Sequence, residues 1–263
     1  MQIFTGFLLA SLIAFAAYRA HSLSASGALG AVLVGGVIFG IGGWQWAILL
    51  LAFFITSSAL TRAFKKRKRG LSEKFSKGGE RDLGQVLGNG GLATLFAALW
   101  HFFPGEAWVW AGFAASLAAV NADTWATELG VLNPHPPRLI TQPSKSVEKG
   151  TSGAISLVGT AAALGGAGLI GLLTVAVAPM TVSPALGILV TLAGLGGSLV
   201  DSLLGATVQA IYHCPTCNKE TERHPTHTCG AATILKRGWR WLDNDWVNFA
   251  CAAFGALLTI LLV

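Results

Sequence analysis

All 18 lysines and arginines of this 263-residue chain lie in four segments, and those segments alternate with long apolar runs. Eight runs are apolar over close to the length of about 20 residues that a helix needs to cross a bilayer. They cover 2–18, 27–42, 46–64, 84–103, 107–129, 152–178, 184–211 and 246–263. Arg19 follows the first run, and nine bases from Arg62 to Arg81 follow the third. Arg138, Lys145 and Lys149 follow the fifth, and Lys219, Arg223, Lys236, Arg237 and Arg240 follow the seventh. The connections on the opposite side carry Glu106 and no base. A wrong division into spans would scatter bases to both sides. The expected fold is therefore all-α: a polytopic transmembrane helix bundle of about seven to eight spans, forming a single domain over 1–263. Basic loops stay on the cytoplasmic side. This places the protein in the cell inner membrane as a multi-pass protein with both termini outward.

Composition agrees. The chain is 53% hydrophobic and 11% charged, with mean hydropathy +0.61. An ordinary soluble domain is about 25% charged, and one this apolar would aggregate. The 33 glycines suit close helix packing in lipid. The first run has no basic flank before it and is expected to remain as a span. The second is short and glycine-rich, consistent with a tilted or re-entrant segment. The sixth and seventh are long enough to be broken. The run Lys65–Arg69 reads as a stop-transfer anchor gripping anionic head groups. No nucleic-acid partner is expected.

A compact Cys/His set follows the seventh run, within a cytoplasmic insertion over 212–240. Cys214 and Cys217 form a C-x-x-C knuckle, and His227 and Cys229 complete a Cys₃His set. Four such ligands suit tetrahedral structural zinc, with His213 and His224 as competing ligands. Cys251, inside the last run, reads as a small packed residue.

Three carboxylates occupy apolar sequence: Asp123 and Glu128 near the end of the fifth run, and Asp201 within the seventh. A charge near the bilayer centre costs about 2.5–3.5 kcal/mol even on insertion scales. Downstream of Glu128 come Arg138, Lys145 and Lys149, then Gly150, Thr151, Ser152 and Gly153, which read as the start of the sixth helix. Helix N-terminal amides beside bases make an anion site. Asp123 and Asp201 suit Mg²⁺, which combines one or two carboxylates with phosphate oxygens and water. The plain structural uses are capping or lysine pairing for Asp123, solvation for Glu128, and positive-inside roles for Arg138 and Lys149. Asn89 opens the fourth run, and Asn121 lies seven residues before Glu128, on nearly the same helix face. Asp243, Asn244 and Asn248 open the eighth; with Asn89 and Asn121 they put Asn or Asp at the cytoplasmic ends of several helices, the clustering expected of a nucleotide and metal site, and N-capping is the plain alternative for Asp243 and Asn244.

The stretches Asn121–Gly130, Pro137–Ile140, Lys149–Gly153, Gly197–Ala206 and Leu242–Asn248 resemble the integral-membrane family that includes plant phytyl-phosphate kinase. The likeness runs from about Asn89 to Asn248. A more distant similarity is to phytol and dolichol kinases. There Asp123 matches their acid, Lys145 or Lys149 their lysine, and Gly150-Thr151 their Gly-Thr, although Asn121-Ala122 and Lys149 depart from their pattern. The resemblance implies a Mg²⁺-dependent phosphotransferase that uses CTP or another nucleoside triphosphate. It would convert an isoprenyl or phytyl monophosphate to the diphosphate, with Asp123, Glu128 and Asp201 catalytic. The other readings are a prenol kinase, a cytidylyltransferase on a lipid, and a lipid or ion transporter.

Overall fold

In the computed structural model, residues 1–65, 67 and 73–263 are described. Most of the run Lys65–Arg69 lies outside the described residues. Among the described residues eight helices form at nearly the expected places: α1 (Gln2–Arg19), α2 (Ala25–Val37), α3 (Trp44–Phe64), α4 (Leu83–Phe102), α5 (Ala107–Gly130), α6 (Leu157–Ala176), α7 (Pro184–Thr207) and α8 (Asn244–Ile260). A π-turn at Ile38–Gly42 extends α2. With that turn α2 covers Ala25–Gly42, and it joins α1, α3, α6 and α7 as the five helices among the described residues that are long and apolar enough to cross a membrane. α6 and α7 are continuous, so the irregularity expected there falls instead at the end of α2.

α5 is the axis. Every residue from Val109 to Ala122 is buried, as befits a helix apolar on all sides. It is packed by α3, α4, α8, α7 and α6, while α1 and α2 form a hairpin docked outside, against α4 and the π-turn. Lipid offers no hydrophobic drive between helices, so close van der Waals packing of small residues does the work. At Gly197 a side chain would lie 2.6 Å from Ala119 Cβ and 2.8 Å from the Cys251 carbonyl, so α5, α7 and α8 meet there almost backbone to backbone. Away from the basic loops, Trp46, Trp110 and Phe113 pack ring against ring, with Trp46 centroids 5.2 Å and 4.4 Å from the other two. Trp110 Nε1 donates to the Thr174 carbonyl at 3.1 Å.

The four basic segments meet at one end of the bundle. Arg62 donates to the Ala20 carbonyl and Arg81 N to the Ser22 carbonyl. Lys74 bonds Glu148, and Lys77 pairs with Asp245. This end is not purely helical. Arg138–Leu139 (β1), Gln142–Ser146 (β2) and Ala154–Ile155 (β3) form a sheet in the order β2-β1-β3. Ile211–Cys214 (β4), Lys219–Thr221 (β5) and Ile234–Arg237 (β6) form another in the order β5-β4-β6.

The start of the sixth span needs correction. Gly150 through Gly153 do not begin a helix: Gly150 and Gly153 have φ of 77° and 80°, and α6 starts at Leu157 behind the cap Ser156. Gly153 packs so tightly on the Ala206 backbone that any side chain would collide. That contact and the left-handed φ turn the segment into a loop leading to β3.

Candidate active site

The crossing at Gly197 sets the site. One turn nearer the basic end, α5 presents Asp123, α7 presents Asp201 and α8 presents Asn248, because residues three or four apart share a helix face. Asp123 and Asp201 interact electrostatically, and both act on Cys251. Asp201 Oδ2 is buried without a hydrogen-bond partner among the described residues. Asn248 is 8% exposed. A buried carboxylate is costly unless a cation or donors compensate it. Asp123 and Asp201, both half-buried on facing helices, form the kind of donor set that Mg²⁺ accepts.

Glu128 is five residues beyond Asp123, which turns it about 140° around the helix. It faces α3, where Thr61 Oγ1 donates to Glu128 Oε1 at 2.8 Å. Arg81 supplies an opposing charge: burial lowers its pKa and the Glu128 charge acts to raise it. Arg81 is gripped by Ser58 Oγ at 2.8 Å and Ser57 Oγ at 3.0 Å. Asn121 looks the same way. Its Nδ2 donates to the Gly166 carbonyl at 2.8 Å, and its Oδ1 accepts from Thr56 at 3.4 Å. Both of its polar atoms serve helix packing.

The expected phosphate segment lines a cavity of about 1100 Å³ between the two small sheets. Lys145, Lys149, Gly150, Thr151 and Ser152 are on its wall, as are Lys74, Lys219, Lys236 and Arg237. Three of these cations already hold glutamates: Lys74 with Glu148 at 2.7 Å, Lys219 with Glu73 at 2.8 Å and Lys236 with Glu220 at 2.7 Å. Lys149 Nζ donates to the carbonyls of Val131 at 3.0 Å and Asn133 at 2.7 Å, closing the C-terminal end of α5. Arg138 points elsewhere, bonding the Pro143 carbonyl at 2.7 Å within its own turn.

Asn89 does not open α4. It lies two turns in, donates to the Gln85 carbonyl at 2.7 Å, and lines an apolar recess among α1 to α4 shared with Arg81. The cap of α4 is Asp82, which forms a capping box with Gln85. Asp243 is the cap of α8, accepting from the amides of Asp245 at 3.0 Å and Trp246 at 3.2 Å, and Asn244 is the first helical residue.

The Cys₃His set comes together. One ligand atom from each of Cys214, Cys217, His227 and Cys229 lies within 4.8 Å of the others, so the cluster could hold a metal ion such as zinc. Cys214 and Cys229 sulfurs are 3.6 Å apart, and His227 Nδ1 is 3.3 Å from Cys229 Sγ. Thiolates on tetrahedral zinc, with Zn–S near 2.3 Å, would be separated by about 3.8 Å. All four cysteines are free. His227 pulls the Cys229 thiol down to about 6, and hydrogen bonding to Cys229 pushes Cys217 up to about 11. His213 and His224 are outside the set, and His224 stacks on Tyr212.

Residues not singled out in the sequence also converge here. Glu222 accepts from Gln209 Nε2 at 3.1 Å and from the Ser76 amide at 3.4 Å, and burial pushes it up to about 7. Gln209 Oε1 in turn accepts from Ser152 at 2.7 Å. Arg237 Nη1 donates to the Gly205 carbonyl at 2.7 Å. Nothing in local spacing distinguishes these from ordinary loop polar residues.

A model of the family described as integral membrane protein DUF92 matches residues 8–256. Protein PGR of Arabidopsis thaliana is 35% identical over 96% of this chain and 93% of its own. Uncharacterized membrane protein MJ0933 of Methanocaldococcus jannaschii is 36% identical over 78% of this chain and 83% of its own. Protein VTE6, chloroplastic, of Arabidopsis thaliana is 28% identical over 91% of this chain and 65% of its own. No solved structure matches.

Proposed function

Because the chain belongs to the DUF92 integral membrane family and is similar to chloroplastic VTE6, we propose that it is a membrane phosphotransferase. It moves the terminal phosphoryl group of a nucleoside triphosphate, CTP favoured, to an isoprenyl or phytyl monophosphate. The observation that carries this reading is the meeting of Asp123 and Asp201 at the end of the bundle where the cation-lined cavity opens. The family likeness to phytyl-phosphate kinase points the same way, and the unbroken α6 and α7 weigh against the interrupted helices of many transporters. The basic end faces the cytoplasm, where nucleotide is available.

Asp123 and Asp201 would hold Mg²⁺, with Asn248 beside them. Bound there, Mg²⁺ would supply positive charge against that of the phosphates. Lys145, Arg237 and the Gly150–Ser152 wall bind the polyphosphate and offset charge that grows on its oxygens. Lys149 orients the loop by anchoring it to the end of α5. An acceptor phosphate oxygen attacks the terminal phosphorus, a new P–O bond forms, and the bridging P–O bond to the nucleoside diphosphate breaks. The acceptor is already largely ionised, its second pKa being about 6, so no general base is required. The lipid tail stays between helices on the bilayer side. Cys214, Cys217, His227 and Cys229 would hold zinc in a closed, structural role.

The test is turnover by purified protein with Mg²⁺, each of four nucleoside triphosphates, and prenols and prenyl monophosphates, with products identified by mass. Prenyl diphosphate and nucleoside diphosphate are expected, and Asp123→Asn should abolish both without unfolding the protein. Pyrophosphate as by-product would make the enzyme a nucleotidyltransferase. Product from prenols alone would make it a prenol kinase. Near-normal turnover by Asp123→Asn would end the assignment of Asp123.

A further inference from the structure

The Cys₃His knuckle lies at the far end of the β5-β4-β6 sheet, away from the bundle. Cys214 ends β4, Cys217 is in the β4–β5 turn, and His227 and Cys229 lie between β5 and β6. The near end of the same sheet meets the end of α7, beside the acid site. β5 runs into Glu222, which interacts electrostatically with Asp201. β6 ends at Arg237, bonded to Gly205, one turn past Asp201 on α7. Gly238, at φ 81°, then packs on the Gln209 and Val208 backbone so closely that a side chain would collide.

The three strands have four, three and four residues. Only a few of their side chains are buried, among them Ile211, Tyr212 and Cys214. Such a sheet has too little core to order itself and needs a staple. The staple's effect reaches the cavity through a continuous set of bonds. Ser152 donates to Gln209, Gln209 donates to Glu222, and Glu222 accepts from the Ser76 amide while its own amide donates to the Lys74 carbonyl at 2.8 Å. Thr221 Oγ1 adds a 2.6 Å bond to the Glu73 carbonyl. One short strand thus joins the α7 end, the Gly150–Gly153 loop and the segment after α3.

We infer that the Cys₃His knuckle positions the cavity wall: by ordering the β5-β4-β6 sheet it holds Glu222 and Arg237 against the end of α7 beside Asp201. Arg237 is a binding group for a polyphosphate ligand and Glu222 a positioning group that holds Gln209 and, through it, Ser152 on the cavity wall; that last step rests on the function proposed above. The zinc therefore matters to ligand affinity although it never meets the ligand.

Two readouts separate the linkage from the kinase reading. The first is amide hydrogen exchange on the full chain in detergent or nanodiscs, with zinc content measured alongside. Wild type should carry zinc, and a chelator or Cys217→Ser should remove it. Exchange across 204–211 and 219–223 should then rise at least about ten-fold, as expected for local opening, with 84–101 unchanged. Restoring zinc to the chelated protein should restore protection. The second readout is affinity for tripolyphosphate and for MgCTP. Loss of zinc should weaken both by about 10–100-fold, the range for lost supporting contacts. Glu222→Gln and Arg237→Gln should weaken them while zinc content holds and the melting temperature does not fall, and Arg237→Lys should recover part of the loss. Unchanged exchange after zinc loss, or wild-type affinity in both point variants, overturns the inference. Coupled exchange in a wild-type protein that binds neither probe upholds the linkage and removes the kinase reading.

Discussion

Thr61 on α3 hydrogen-bonds Glu128 on α5 at 2.8 Å, and Arg81 supplies the opposing charge beside them. The three groups come from segments far apart in the chain and close the basic end of the bundle around its central helix. Arg81 is held there on every side: its guanidinium by Ser57 and Ser58, its backbone by Ser22 and Ser24. This arrangement explains why a carboxylate is tolerated at 5% exposure in an apolar helix.

Breaking that arrangement should show first as lost stability. Removing one partner of a buried pair costs about 3–5 kcal/mol because the other charge stays buried. Glu128→Ala should lower the melting temperature clearly, and Thr61→Val should lower it less, a hydrogen bond to a charged group being worth about 1.5–3 kcal/mol. Thermal unfolding of the detergent-solubilised protein checks both. A Glu128→Ala variant as stable as wild type would show that Glu128 does not compensate Arg81.

Asp201 should behave in the opposite way. Asp201→Asn removes one of two neighbouring like charges, so its melting temperature should equal or exceed that of wild type. Turnover should fall at least about 10²-fold, the scale for losing one group that stabilises transition-state charge. Parallel unfolding and steady-state assays test this, and a stability loss without a rate loss would make Asp201 a packing residue.

Glu222 makes stability depend on pH. Burial raises its pKa from 4.5 to about 7. Below 4.5 both folded and unfolded chains keep the proton. Between 4.5 and about 7 the unfolded chain releases it and the folded chain holds it, so stability falls as pH rises through this window. Melting curves from pH 4 to 8 should show that decline in wild type and a flatter profile in Glu222→Gln. Identical slopes would mean that Glu222 ionises freely in the folded protein.

Asn121 should prove to be a packing residue. Its amide bridges α5 to α6 and α3, and interhelical bonds of this kind average about 0.6 kcal/mol in membrane proteins. Asn121→Ala should cost about that much in an unfolding titration and leave the Michaelis constant for nucleotide unchanged. A rise in that constant alone would return Asn121 to the nucleotide site.

The alternation of apolar runs with bases was enough to place eight helices to within a few residues at most ends. It also gathered the four basic segments on one side, because burial in lipid and positive charge at its border are one-dimensional signals. The Cys₃His spacing and the cap at Asp243 were readable for a similar reason: their partners are close in the chain. What a side chain faces is a different kind of information. Asp123 and Glu128 are five residues apart, yet helical rotation sends one toward α7 and the other toward α3. The Gly150–Gly153 loop looked like a helix start until the contact of Gly153 with Ala206 set its backbone. Glu222 meets Gln209, and Arg237 meets Gly205, only because two short strands fold back onto the end of α7, and no local pattern records contacts made that way.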